Sequence, residues 1–164
     1  MSKKLFLAIA TLALTTSAFA APINNANDPG MTGATLVDFE SGPSGTWVSQ
    51  SFGSLTVTAQ NSPYQPNASF SVANDYAGNY NTRGALHISN FGSQFQNLRF
   101  DFASTVSAFG FLFGASDSTW VLSAYDSGNN ILEARNINPV HSSNGGDFFG
   151  LAGLAGASYA KVIQ

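Results

Sequence analysis

"VSAFGFLFGASDSTWVLSAYDSGNNILE", residues 106–133, decides the fold class. Side chains on a strand alternate between two faces. Phe109, Phe111 and Phe113 therefore share one face, opposite Ala108, Gly110 and Leu112. The next run puts Trp120, Leu122 and Ala124 on one face and Val121, Ser123 and Tyr125 on the other. "DSGNN" (126–130) then supplies Gly and Asn for the positive-φ positions of a hairpin turn, and "ILEARNI" follows as the partner strand. A buried Phe stabilises a fold by roughly 1.5–3 kcal/mol. The alternating phenylalanines read as the inside of a sheet protein rather than as an outward stack for sugar rings.

The same pattern extends both ways. "NLRFDFA" sets Leu98, Phe100 and Phe102 against Arg99 and Asp101. "ASFSVAN" and "ALHIS" are short strands, "TWVSQSF" and "SLTVTAQ" form a hairpin around Gly53, and "TLVDFE" (35–40) is a first strand. "NSPYQPN", "DYAGNYNTRG" and "NPVHSSNGGD" are loops. Toward the other end, "FFGLAGLAG" is short and glycine-broken, and "SYAKVIQ" is one more strand. The chain stops at Gln164 inside that run, which reads either as a terminal strand or as the end of a truncated domain. About nine to eleven strands, without a repeat or a helical period, predict an all-β domain over 35–164. The expected architecture is an antiparallel β-sandwich of jelly-roll or galactose-binding-like type.

The first residues follow another logic. "MSKK" is basic, "LFLAIATLAL" is apolar but short for a membrane span, and "TTSAFA" ends in small-x-small. Residues 1–20 are read as a secretory signal peptide and 21–34, "APINNANDPGMTGA", as a leader loop lying over the domain. The expected location is extracellular or periplasmic, with no membrane span after cleavage. From Ala21 onward four basic residues (Arg83, Arg99, Arg135, Lys161) face nine acidic ones, a net charge of −5. These four scattered cations build no basic patch, so no nucleic-acid partner is expected. The absence of cysteine removes disulfides, thiolate metal sites and cysteine nucleophiles. Charged residues make up only 9% of the chain, against roughly 25% in an ordinary domain, so amides and hydroxyls carry its polarity.

Candidate sites are few. Trp47, Tyr64, Tyr76 and Tyr80 lie in or beside loops, where an aromatic ring either stacks on a sugar or anchors the loop to the sandwich. Asp38 and Glu40 share a face, and Glu40 at the end of a first strand is the expected ligand of a structural Ca²⁺ at the rim. His141, with Ser142, Ser143 and Asp147 near it in sequence, offers the types of a hydrolytic triad, but serial neighbours rarely take that geometry. His87 reads as packed or solvent-facing. No G-x-S-x-G elbow or H-E-x-x-H pair is present. The sequon "NAS" (67–69) carries no weight in a bacterium, the source that a secreted chain without cysteine fits best.

"NDPGMTGATLVDFES", "GNYNTRGALHI", "LRFDFASTVSAFGFLFGASDSTWVLSAYDSGNNILE" and "NGGDFFGLAG", in that order, resemble a family of secreted bacterial single-domain β-sandwich proteins often found with a PEP-CTERM sorting tail. The resemblance covers about residues 26–164. It implies that "VSAFGF" and "AYDSGNNILE" form a strand pair joined by a hairpin. It also implies a late strand after "FFG", followed by a terminal strand that this sequence does not reach. The tail's Pro-Glu-Pro, apolar helix and basic cluster are not in the sequence. The family's likeness to carbohydrate-binding sandwiches implies a surface or matrix role. The leading expectation is thus a non-catalytic envelope or extracellular-matrix protein acting through its surface. A carbohydrate-binding module for extracellular polysaccharide is the alternative, and a hydrolase using His141 or Asp38 and Glu40 is the weakest.

Overall fold

The computed structural model describes residues 20–40, 42–63, 65–73, 87–89, 97–114, 116, 118–140 and 147–164. These hold ten strands: β1 (Ala21–Ile23), β2 (Gly45–Trp47), β3 (Ser49–Phe52), β4 (Leu55–Gln60), β5 (Phe70–Ala73), β6 (His87–Ser89), β7 (Asn97–Leu112), β8 (Trp120–Tyr125), β9 (Ile131–Ile137) and β10 (Phe148–Ile163). A single 3-10 turn spans Pro29–Met31. The domain is all-β, and among the described residues every strand pairing is antiparallel.

The larger sheet runs β3-β4-β7-β10-β8-β9, with β1 added beside β10. A smaller sheet runs β2-β5-β6. Period-2 patterning places Leu55, Val57 and Ala59 of β4, Leu98 and Phe100 of β7, Leu122 and Ala124 of β8, and Ala160 and Val162 of β10 on the inner face, all buried. Phe70 and Val72 of the smaller sheet join the same core.

The second layer comes partly from the large sheet itself. Sequence patterning suggested separate strands at "NLRFDFA" and "VSAFGFLFG", and again at "FFGLAGLAG" and "SYAKVIQ". Each pair is instead one strand of 16 residues. A straight strand would hold Phe100 and Phe109 roughly 30 Å apart at about 3.3 Å per residue. Their ring centroids lie 5.3 Å apart, and those of Phe102 and Phe109 lie 5.1 Å apart. The β7–β10 ribbon therefore turns a corner and folds its far end back over the inner face.

The corner has a local cause. On β7 it passes through the exposed Ala103, Ser104 and Thr105. On β10 it uses Gly153 and Gly156, at φ 72° and 85°, where the pairing register shifts. Only glycine takes that backbone region freely. Beyond the corner, Phe109, Phe111 and Phe113 pack on the core as a ladder, and Phe113 meets both Trp120 and Phe149 edge-on.

Two sequence expectations are corrected. "TLVDFE" is not a strand. Asp38 Oδ1 accepts the Glu40 N–H at 3.1 Å, Phe39 sits at φ 63°, and the Gly42 N–H closes on the Phe39 carbonyl. These local bonds and the positive φ at Phe39 turn the chain where a strand would have to continue straight. Val37 and Phe39 still point inward, whereas Leu36 is 83% exposed. The supposed leader loop also opens with a strand: β1 pairs Ala21, Pro22 and Ile23 with Ala152, Leu151 and Gly150. The rest of that segment does lie over the domain. Met31 packs on Ile23, Phe148 and Ala152, a small second core on the far side of the folded-over ribbon.

The turns at Gly53 and at 126–130 follow expectation, but "VSAFGF" and "AYDSGNNILE" are not a strand pair: β10 lies between β7 and β8. Phe52 and Leu55 flank a two-residue turn with Gly53 at φ 60°. In the 126–130 turn Asn129, not Gly128, takes the positive φ, at 67°.

Candidate functional site

The outer face of the large sheet is the candidate interaction surface. The strand registers line up two rows across six strands. One row reads Ser51, Thr56, Asp101, Tyr159, Tyr125, Ile131. The next reads Ser49, Thr58, Arg99, Lys161, Ser123, Ala134. Hydroxyls fill one end, where Ser49 and Thr58, and Ser51 and Thr56, hydrogen-bond at 2.8 Å. Aromatic rings and cations fill the middle.

Tyr125 and Tyr159 stack with centroids 4.7 Å apart and planes 7° from parallel. The Arg99 guanidinium covers the Tyr159 ring at 3.8 Å, and Lys161 Nζ lies 5.3 Å from the Tyr125 centroid and 5.7 Å from that of Tyr159. Such contacts join a cation to the negative face of a ring. Arg99 is itself held by Asp101, with Nε donating to both carboxylate oxygens at 2.9 Å and Nη2 donating to Oδ1 at 2.6 Å. The hydrogen bond to Asp101 raises the guanidinium's already high pKa. Both side chains are about a third exposed, so the pair contributes no more than about 1 kcal/mol.

Burial raises the pKa of the Tyr159 phenol, although the nearby Arg99 opposes this. Its O–H donates to Asn129 Oδ1 at 3.0 Å, tying the rings to the 126–130 turn. There Asp126 accepts from the Asn130 side chain at 2.9 Å and from its backbone N–H at 2.8 Å, which lowers the carboxyl pKa. The rim of the face thus presents Tyr125, Lys161 and an amide-rich turn side by side.

A second cation works differently. Arg135 Nη1 donates to the Ile23 carbonyl at 2.6 Å and to the Gly150 carbonyl at 3.3 Å, and Nη2 donates to Asn24 Oδ1 at 2.7 Å. Its guanidinium also lies over Phe149, and burial lowers its pKa. Arg135 ties β9 to β1 and to the folded-over end of β10.

The sequence candidates fall elsewhere. Trp47 is half-buried with its ring on the core, and its Nε1 finds no acceptor among the described residues. Tyr64, Tyr76, Tyr80, His141, Ser142 and Ser143 lie outside the described residues. His87 belongs to β6. Glu40 is exposed in the turn after Phe39, and no group of three or more His, Cys, Asp or Glu side chains gathers among the described residues. The Tyr125, Tyr159, Arg99 and Lys161 cluster went unforeseen. Alternation within each run does place Arg99 and Tyr125 opposite the core side chains. Nothing in the runs says that β10 inserts between β7 and β8 and brings these residues together.

Comparison of the chain with protein-family models, with curated proteins and with solved structures gave no match.

Proposed function

We propose that this chain is a secreted, non-catalytic protein of the bacterial cell envelope or extracellular matrix that acts through the outer face of its large sheet. The observation that carries this reading is the cluster of Tyr125, Tyr159, Arg99 and Lys161, drawn from two adjacent rows across three central strands. On a chain with 9% charged residues, two of the four cations beyond residue 20 stand together there. Aromatic rings beside hydrogen-bonding side chains are what surface recognition uses. The basic-apolar-small order of residues 1–20 supports secretion, to the periplasm or beyond. Among the described residues no helix is long and apolar enough to cross a membrane.

The resemblance to PEP-CTERM-associated sandwiches supports the same envelope or matrix role. The finer jelly-roll or galactose-binding-like assignment rests on the β-sandwich with its ribbon folded over the core. Carbohydrate binding is the second reading. It is favoured by the stacked Tyr125 and Tyr159 rings beside the 126–130 turn, where Tyr159 bonds Asn129 and Asp126 bonds Asn130, since a sugar needs one apolar face and several amide or carboxylate partners.

The test is fractionation of cells making the full chain with a C-terminal tag, followed by retention of the mature protein on envelope and matrix polysaccharide, with and without calcium. Recovery of a chain beginning at Ala21 outside the cytoplasm, retained on that material, supports the proposal. A cytoplasmic, uncleaved chain contradicts it.

A further inference from the structure

The bond expected to be cut during secretion is built into the fold. Ala20, the last residue of the expected signal peptide, packs against the main core. Ala21, the first residue after it, is already in β1 and pairs with Ala152. Ile23 is 7% exposed, in a cluster with Phe148 and Ala152. Arg135 then holds the Ile23 carbonyl and the Asn24 side chain from the neighbouring β9. The fit around this strand is close. A Cβ on Gly150 would lie 2.9 Å from Ile23 Cγ1, and one on Gly30 would lie 2.6 Å from Ala152 Cβ, so the 3-10 turn sits directly on β10.

A peptidase takes its substrate as an extended, accessible segment on both sides of the scissile bond. Here residues 20–24 are occupied: one by the core, three by strand pairing and one by the Arg135 clamp. The same residues cannot lie in a peptidase cleft and against β10 at once. We infer that docking of β1 and removal of residues 1–20 exclude each other, so that cleavage precedes closure of this edge and a fully folded precursor resists processing. Pro22 fits this order, since a residue without an N–H is tolerated on a strand that pairs on one side only. Nothing upstream of Ala21 is needed for the three β1 pairings, so the strand closes once the new N-terminus is free. Secretion and folding are thereby placed in sequence by the fold itself. The inference rests on the secretory reading of residues 1–20.

The experiment uses the full 1–164 precursor in detergent micelles with a purified bacterial leader peptidase, and mass spectrometry follows loss of the first 20 residues. Wild type, Ile23→Asp and Arg135→Met are compared after folding, and wild type also immediately on dilution from urea. A peptide spanning residues 10–27 is the control for the cleavage site, and circular dichroism confirms that each folded sample retains its sheet. The folded wild type should be cut at least about tenfold more slowly than the freshly diluted chain, corresponding to about 1.4 kcal/mol of docking. Arg135→Met, which leaves the Ile23 side chain in place, should recover much of the lost rate, as should Ile23→Asp. If the peptide is cut after Ala20 but the folded wild type is cut as fast as the diluted chain, the inference fails and the secretory reading stands. If the peptide itself is not cut there, both fail.

Discussion

Phe100 and Phe109 belong to one strand, and only the corner in the β7–β10 ribbon brings them together. Replacing each by Leu, singly and together, tests that corner. Phe100 is 8% exposed and its ring lies 5.3 Å from Phe109 and 6.2 Å from Phe111. Each single replacement trims a packed ring while keeping an apolar side chain, so a loss of about 1–2 kcal/mol is expected. The pair itself should contribute a coupling of about 0.5–1.5 kcal/mol, the usual range for tilted or edge-on rings. Urea unfolding of the four proteins, each covering residues 21–164, yields that coupling as the departure from additivity. Were β7 straight, the rings would stand roughly 30 Å apart and the two losses would simply add. A coupling below about 0.3 kcal/mol, with all four proteins unfolding cooperatively, would refute the folded-over ribbon.

Other consequences are as direct. Gly150→Ala places a methyl 2.9 Å from the Phe109 carbonyl oxygen and 3.1 Å from Gly110 Cα, and should cost about 1–3 kcal/mol, lowering Tm by roughly 3–10 °C in a thermal scan. Arg135→Met removes the donors to Ile23, Gly150 and Asn24, so amide exchange at Ile23 should quicken at least about tenfold while β4 and β8 keep their protection. Tyr159→Phe deletes the bond to Asn129 and should cost about 1 kcal/mol in urea unfolding. The Tyr159 phenol also sets a pH dependence. Its folded pKa is raised above the ordinary 10.0, so its contribution is complete below that value and is lost as the pH rises through the folded pKa. Alkaline destabilisation should therefore be weaker in Tyr159→Phe than in wild type, and equal slopes would contradict the assignment.

Much of the sandwich was readable from alternation alone. Leu98, Phe100, Leu122 and Ala124 were placed inward by period 2 and are buried. Gly53 marked its hairpin because that turn needs a residue at positive φ. What alternation misses is anything settled by long-range pairing. The corner in β7 consists of ordinary exposed residues at 103–105, so the run looks like two strands with a break between them. "TLVDFE" has the pattern of a strand, yet the Asp38 carboxylate takes the Glu40 N–H and the chain turns at Phe39. β1 is three residues long and leans on Arg135, 112 positions away from Ile23, a distance no local pattern spans.

The candidate surface shows the same division. Arg99, Asp101 and Tyr125 could each be placed on an outward face, and Lys161 was one of four basic residues too scattered in sequence to form a patch. The insertion of β10 between β7 and β8 brings those separate outward residues into one cluster of two adjacent rows. Trp47 lies beside a loop in sequence, which makes it a candidate for stacking, but it ends β2 and packs its ring on the core.

The most direct measurement is retention of the 21–164 protein on isolated envelope and matrix polysaccharide, compared with a Tyr125→Leu/Lys161→Glu variant whose thermal unfolding shows that the sandwich is intact. These two side chains lie at the accessible edge of the ring and cation row, and neither is fully buried. Wild type should be retained, and the variant should bind at least about tenfold more weakly, a loss of about 1.4 kcal/mol. Equal retention of two folded proteins would contradict the assignment of function to this face.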